Sequence, residues 1–289
     1  MTQDVSQSTG DSWKELAQKS RGYKAGSTTQ SMVARMNEIW PFSTARGLFD
    51  NGCGTGAVIS AILDAYGVDI PAAASVLAGD FSQPMLEVLI EAKQSKSTAS
   101  EPAWDRLEIR QIDAHDLSTI ATASVSHVTG GHLYFLLSDA QMALAETHRV
   151  LCPGGVLGMT SGKGSQHIDT LRDAFEQTKP GTKLNLIQEP WSSEEGVRGI
   201  LEAAGFVSVE ISLVESEVAY QTYEDFAETL MLMPVVKNIT ASYEKEECIQ
   251  VQQYLTRNLR EINPRAPGTL KGVSIIAHAR KAPTSSKEI

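Results

Sequence analysis

The sequence predicts an α/β protein built on a mainly parallel sheet with helices on both faces. Three observations carry that expectation. Strand-like and helix-like apolar patterns alternate from Arg46 to Ser161 at the pace of βαβ units. A glycine-rich turn, Gly52 to Gly56, joins the first strand to a helix. The composition, 42% hydrophobic and 21% charged over 289 residues, is that of a globular chain.

Residues 1–10 are polar and are expected to be a disordered tail. Helical spacing follows at Trp13, Leu16 and Ala17, and again at Met32, Val33, Met36 and Ile39. Gly22 and Gly26 fall between, so two helices meet near Tyr23, and Pro41 stops the second. Residues 11–44 are thus expected to form an N-terminal helical cap. Arg46 to Asn51 is a short strand, and Ala57 to Tyr66 is a helix. Ser75 to Asp80 is the second strand, followed by a helix from Gln83 with Pro84 in its first turn. Leu107 to Ile112, Val125 to Val128 and Val156 to Ser161 are the next strands, with a helix over Ser138 to Val150. Pro153-Gly154-Gly155 is a structural turn between helix and strand.

The rhythm changes after Ser161. Ile168 to Gln177 is helical. Ser192 with Glu195 forms a capping box for a helix ending at Gly205. Val207 to Tyr220 alternates as a strand. Tyr223 to Val236 and Glu244 to Glu261 are helices, and Val273 to Arg280 is the final strand. The expected layout is a ligand-binding core over 45–221, a helical substrate lid over 222–270, a final core strand over 271–282 and a tail over 283–289.

Lys and Arg total 25 against 35 Asp and Glu, a net charge of −10. An acidic surface repels phosphate backbones, so nucleic acid is not the expected partner. The longest apolar run, near Met231, is broken by Pro234 and Lys237, short of the roughly 18 residues a membrane helix needs. Cys53, Cys152 and Cys248 make no CxxC and no disulfide framework. The N-terminus lacks an apolar signal segment. A reducing, cytoplasmic compartment is expected, with the chain a monomer or homodimer. No His, Cys or carboxylate group has metal-ligand spacing, so no metal is expected.

The chemistry lies in four segments. In Asp50-Asn51-Gly52-Cys53-Gly54-Thr55-Gly56, alternate glycines allow a tight turn and a close ligand approach at a helix N-terminus. Its spacing also fits G-x-G-x-x-A, from Gly52 to Ala57, which keeps a dinucleotide open. Asp50 sits poorly beside a pyrophosphate and well beside an ammonium group. Asp80, ending the second strand in Gly79-Asp80-Phe81-Ser82-Gln83-Pro84-Met85-Leu86, can accept from both hydroxyls of a ribose. It supports a nucleoside without choosing which. Asp113 can accept from an adenine amino group, while Ala114 leaves room for the ring. Alone, Asp113 would be an ordinary Asx-turn residue.

DNGCGTG, GDFSQPML, QIDAHDL and RVLCPGGVL, in that order, resemble the class I S-adenosylmethionine-dependent methyltransferases over residues 45–160. The resemblance implies a Rossmann-like, seven-stranded sheet with the last strand antiparallel, and S-adenosyl-L-methionine as cofactor. It implies contacts from Asp50, Gly52, Gly54 and Gly56 to the methionine end, with Asn51 and Gly130 in the same set. Asp80 would hold the ribose, while Phe81, Met85, Asp113 and Ala114 frame the adenine. Tyr23 would fold over the methionine carboxylate. Within the family the chain is most similar to fungal natural-product enzymes, such as the gliotoxin-type dithiol S-methyltransferases. Ser126-His127 departs from the pattern, standing where many members carry an acidic residue.

Methyl transfer from a sulfonium is an in-line displacement, helped greatly by positioning. A hydroxyl or amine acceptor gains from a general base, and a thiol needs less help. His132, after the fourth strand, is the candidate base, and His167 the second. His127, His148 and His278 are expected to be structural. Trp191, Phe226, Met231 and Met233 are the expected acceptor-binding residues. The sequence leaves the acceptor atom open among S, O, N and C. It also leaves open a cofactor-retaining catalyst that does not methylate, a nucleoside-binding regulatory protein and, last, a dehydrogenase.

Overall fold

A computed structural model describes residues 13–20, 26–97, 102–184 and 186–284. The expected tail 1–10, Tyr23 and the residues from 285 on lie outside the described residues. Two helices lead in, α1 (Lys14–Lys19) and α2 (Ser27–Ile39). The core then runs β1 (Gly47–Asn51), α3 (Ala57–Tyr66), β2 (Ser75–Asp80), α4 (Gln83–Ser97), α5 (Pro102–Asp105), β3 (Leu107–Gln111) and β4 (Val125–Gly130). It continues through α6 (Ala140–Val150), β5 (Leu151–Ser165), α7 (Gln166–Thr178), α8 (Glu194–Ala203) and β6 (Phe206–Tyr220). Three helices, α9 (Tyr223–Met231), α10 (Pro234–Thr240) and α11 (Lys245–Ile262), precede β7 (Gly268–Lys281).

The strand order is β3-β2-β1-β4-β5-β7-β6. The first five strands pair in parallel, and β7 runs antiparallel to both β5 and β6. This is the seven-stranded sheet with an antiparallel last strand that the resemblance implied. The order reverses between β1 and β4, which opens a crevice beyond their carboxyl ends. All five residues of β1 are buried, as a central strand covered on both faces requires.

On one face, Met32, Val33 and Met36 of α2 pack with Leu48, Ile59, Val156 and Ile276. A Cβ at Gly158 would lie 2.4 Å from the Met36 sulfur, so this glycine lets α2 sit directly on β5. The segment expected as a cap therefore divides: α2 is a layer of the core, while α1 reaches the ligand edge. On the other face, Phe49, Val128, Leu144, Leu157 and Leu201 form a second cluster. A third joins Phe175 of α7, Tyr220, Phe226 of α9, Val236 of α10 and Leu255 of α11. No helix among the described residues is long and apolar enough to cross a membrane.

Three sequence expectations change. Pro153-Gly154-Gly155 lies inside β5, where the pairing with β4 jumps from Val125↔Leu151 to His127↔Val156. Gly154 takes φ +79 there and its carbonyl accepts from Arg280 at 2.9 Å, so the expected turn is a bulge in a longer strand. The cap of α8 is Ser193, whose hydroxyl accepts from the Gly196 N–H at 3.2 Å, not Ser192. Pro234 divides the expected Tyr223 to Val236 helix, because it lacks the N–H an interior position needs and instead opens α10.

Candidate active site

The glycine turn leaves β1 with left-handed backbone at Gly52, Gly54 and Gly56, at φ +64, +54 and +91. Side chains are excluded at two of them: a Cβ would lie 2.5 Å from Leu133 at Gly52 and 2.3 Å from Leu89 at Gly56. Gly54 differs, with nothing within 4 Å of where its Cβ would stand. Its backbone faces open space at the head of α3, which suits a ligand lying against the main chain.

Asp80 locks this turn to β2. Its Oδ2 accepts the Gly54 N–H at 2.8 Å and its Oδ1 accepts the Ser82 N–H at 2.9 Å. The Cys53 N–H donates to the Gly79 carbonyl at 2.9 Å. A carboxylate has about four acceptor sites, so Asp80 keeps capacity for further donors. Asn51 Nδ2 is buried without a hydrogen-bond partner among the described residues; the nearby Tyr134 hydroxyl is engaged by Thr147 at 2.9 Å. Ser82 Oγ is also buried and unpartnered there. Unspent buried donors, an open glycine face and a carboxylate with spare lone pairs fit a polar nucleoside carrying an amino acid.

Asp50 is enclosed. Its Oδ1 accepts from Thr129 at 2.6 Å, and its Oδ2 from the Ile59 N–H at 3.1 Å. Burial, with a smaller push from the Asp80 charge, raises its carboxyl to about 7. The folded chain holds this proton more tightly than the unfolded chain, so the associated stability is lost as pH rises from the ordinary carboxylate range through about 7. A cation placed beside Asp50 favours its ionised form. S-adenosylmethionine affinity is therefore expected to rise through neutral pH, and Asp50→Asn to flatten that rise, in calorimetry from about pH 6 to about pH 8.5.

Phe81 and Asp113 stand at the ends of β2 and β3, with the Gln111 side chain donating to the Phe81 carbonyl at 2.8 Å. Ala114 is buried. Asp113 Oδ1 accepts from the backbone N–H of His115 at 2.9 Å and pairs with its ring at 2.8 Å. Met85, expected beside the adenine, is buried with Ala17 and Val88, where α1 covers this part of α4. Trp13 meets Phe81 edge-on, with centroids 6.1 Å apart. Lys19 pairs with Asp225 and, at 2.9 Å, with Glu228 of α9. Glu15 pairs with Lys237 of α10 at 2.6 Å. Thus α1, with Trp13 before it, bridges Phe81 at the end of β2 and the helical insertion. Gly130 is buried at the end of β4, where a Cβ would lie 2.5 Å from Tyr134.

His132 leaves β4 with φ +53, a backbone few side chains tolerate, and its N–H donates to Thr160 Oγ1 at 2.9 Å. Its ring is solvent-exposed, yet the protein around it lowers its basicity through desolvation. Phe135 meets the ring edge-on, with centroids 6.1 Å apart. His167 is half-buried against the Ser165 hydroxyl. Burial, and then the nearby His132, push it down to about 4. His127 is fixed in the core: Nε2 donates to the Trp40 carbonyl at 2.8 Å and Nδ1 lies 2.9 Å from the Ser126 hydroxyl. His278 Nε2 donates to the Met32 carbonyl at 2.9 Å, and His148 packs on Phe206 at 5.1 Å.

The expected acceptor residues part company. Phe226 is only 8% exposed and stacks on Tyr220 at 5.2 Å, so its side chain packs the third cluster. Met231 and Met233 are half-buried on that cluster, as are Leu136 and Leu186, which the sequence did not single out. Trp191 is half-buried on the second cluster, and its carbonyl accepts from Ser161 at 2.7 Å. Thr129 and Thr160 also escaped the sequence, since a buried strand threonine carries no pattern of its own. Among the described residues no group of three or more His, Cys, Asp or Glu is placed to hold a metal ion.

Residues 49–159 match the methyltransferase-domain family. The chain is 30% identical over 249 residues to the methyltransferase ucsB of Acremonium sp, covering 86% of each. It is 25% identical over 228 residues to an acetylaranotin bis-thiomethyltransferase of Aspergillus terreus, covering 74% of this chain and 76% of that one. The YcgJ protein of Bacillus subtilis shares the fold, with a TM-score of 0.54 at 14% identity over 87% of this chain and 98% of that one. The chain belongs to the class I S-adenosylmethionine-dependent methyltransferases, and S-adenosylmethionine is its cofactor.

Proposed function

We propose that the chain moves the methyl group of S-adenosylmethionine to a small apolar natural-product acceptor whose reacting group is a thiol or dithiol. The observation that carries this is His132, an imidazole of lowered basicity at the carboxyl end of β4, with Phe135 edge-on beside it. Such a ring is neutral at pH 7 and free to take a proton. A thiol near pKa 8.5 gives up its proton readily to such a ring and needs less help than a hydroxyl or an amine. Leu136, Leu186, Met231 and Met233 supply partly buried apolar surface on the third cluster, and methionines adapt to irregular ligands. The relative from Aspergillus terreus is named for thiol methylation.

The cofactor supplies an electrophilic methyl on a sulfonium. Gly54 offers its open backbone to the methionine end, and the Asp50 charge favours the cationic centres. Spare lone pairs on Asp80 accept the ribose hydroxyls, and Asp113 accepts the adenine amino group. His132 would hold the thiol proton on its ring nitrogen as the acceptor sulfur takes the methyl group that the sulfonium would give up, with S-adenosylhomocysteine as the other product. The α9–α11 insertion and α1 close the acceptor side as a lid.

Mass spectrometry with a small aliphatic dithiol, a phenol and an amine as probes tests this. The expected result is a gain of one methyl per event on the dithiol, with one S-adenosylhomocysteine released each time. Transfer only to the phenol or amine would move the assignment to O- or N-methylation. Cofactor binding with no methylated product from any probe would favour a nucleoside-binding regulator.

A further inference from the structure

We propose that His115 is a positioning residue for cofactor recognition: it fixes Asp113 so that one carboxylate oxygen is presented to a base bearing a 6-amino group. This rests on the assignment of Asp113 to the adenine. Asp113 is 62% exposed in its side chain, so on its own it would rotate freely in water. Freezing a mobile carboxylate on binding costs affinity. Here the freezing is done in advance. Both the backbone N–H and the ring Nδ1 of His115 engage the same oxygen, Oδ1, at 2.9 and 2.8 Å. Two contacts on one oxygen fix both side-chain torsions and leave Oδ2 without a protein partner among the described residues.

The imidazole is itself anchored. Its side chain is 15% exposed, and its Nε2 lies 3.4 Å from the Asp139 N–H. Because a backbone N–H can only donate, Nε2 accepts and Nδ1 carries the proton toward Asp113. Asp139 is rigid, since its own side chain caps α6 by accepting from the Met142 N–H at 2.9 Å. The chain of contacts thus runs from a helix cap through a mostly buried ring to an exposed carboxylate. Ile112 ties that carboxylate to the cofactor edge, its N–H donating to the Asp80 carbonyl at 3.0 Å.

A fixed carboxylate oxygen only accepts. It pairs with the amino group of adenine and repels the carbonyl oxygen that hypoxanthine carries at the same position. His115 therefore contributes to discrimination between the two bases without touching either.

The test is calorimetry of S-adenosylhomocysteine and S-inosylhomocysteine with the full chain and four variants. The parent is expected to prefer the adenine ligand by about tenfold or more, the worth of one charge-assisted hydrogen bond. His115→Ala should bring the two affinities within about threefold, mainly by weakening the adenine ligand. His115→Asn places an amide N–H near the Nδ1 position and should restore most of the preference, whereas His115→Gln should not. Asp113→Ala, which removes the carboxylate itself, should abolish the preference. Loss in Asp113→Ala with full preference in His115→Ala would overturn the role of His115 alone. A parent with no preference, and unchanged binding in Asp113→Ala, would overturn the adenine assignment beneath it. Melting temperatures decide whether a variant is folded; should His115→Ala fail to fold, the Asn and Gln pair carries the comparison, and equal preference in both overturns the proposal.

Discussion

Asp80→Ala is expected to lower S-adenosylhomocysteine affinity by at least about 100-fold while the chain still folds. The size follows from what the carboxylate does at once. It accepts from the backbone of Gly54 and Ser82, which holds the glycine turn against β2. On the ribose assignment it also accepts from two hydroxyls. Hydrogen bonds to a charged group contribute about 1.5–3 kcal/mol each, so two lost ribose contacts alone span roughly 100-fold to well beyond. The fold should survive because burial already raises the Asp80 carboxyl, so its charge is costly to keep in the empty crevice. Asp80→Asn keeps one acceptor oxygen and should fall between parent and alanine. Calorimetry with circular dichroism makes the measurement, and an unchanged affinity in a folded Asp80→Ala chain would sink the ribose assignment.

His132→Ala should slow methylation of a dithiol probe by about 100-fold near neutral pH, with S-adenosylhomocysteine affinity unchanged. The defect should shrink as pH rises past the thiol pKa, because the thiolate then forms without help. A rate loss that stays constant up to about pH 9.5 would rule out the base role and leave a packing role. The backbone offers an independent readout. At φ +53 a histidine is strained, and glycine adopts that conformation freely. His132→Gly should therefore melt above His132→Ala while being equally slow. A site that keeps a strained residue where glycine would sit more easily is one where the side chain matters.

The central strands and the glycine turn were legible because their signals are local. An all-buried strand such as β1 reads as a short apolar run, and the alternate glycines announce the left-handed backbone found at Gly52, Gly54 and Gly56, although not the Leu133 and Leu89 side chains that crowd two of them. The apolar insertion was less legible. Periodicity in α9 says that Tyr223, Phe226 and Leu230 share a face, but not whether that face meets a ligand or Tyr220. What covers Met85 is not legible for a related reason: it is α1, more than 60 residues earlier in the chain. Strand ends are under-read in β5 and β7, since Gly162-Lys163-Gly164-Ser165 and Gly268-Thr269-Leu270-Lys271-Gly272 lack a sustained apolar alternation while their pairing continues. His115 was overlooked because Asp113-Ala114-His115 has the look of a plain turn, and only the fold shows that the ring is pinned at both nitrogens.

The place of β7 between β5 and β6 bears on how the protein emerges from the ribosome. Strands β1 to β5 can assemble as they are made, each neighbour already present or soon to come. β6 cannot join them, because the strand that links it to the sheet is separated from it by three helices still to be synthesised. Until Gly268–Lys281 is out, the long edge of β5 stays unpaired and β6 has no sheet to enter. During that interval the nascent chain carries two open β edges, and this is when chaperone capture or edge-to-edge association with other nascent chains has its opportunity. A premature stop within the α9–α11 insertion therefore does more than remove helices: it leaves the sheet open in its interior.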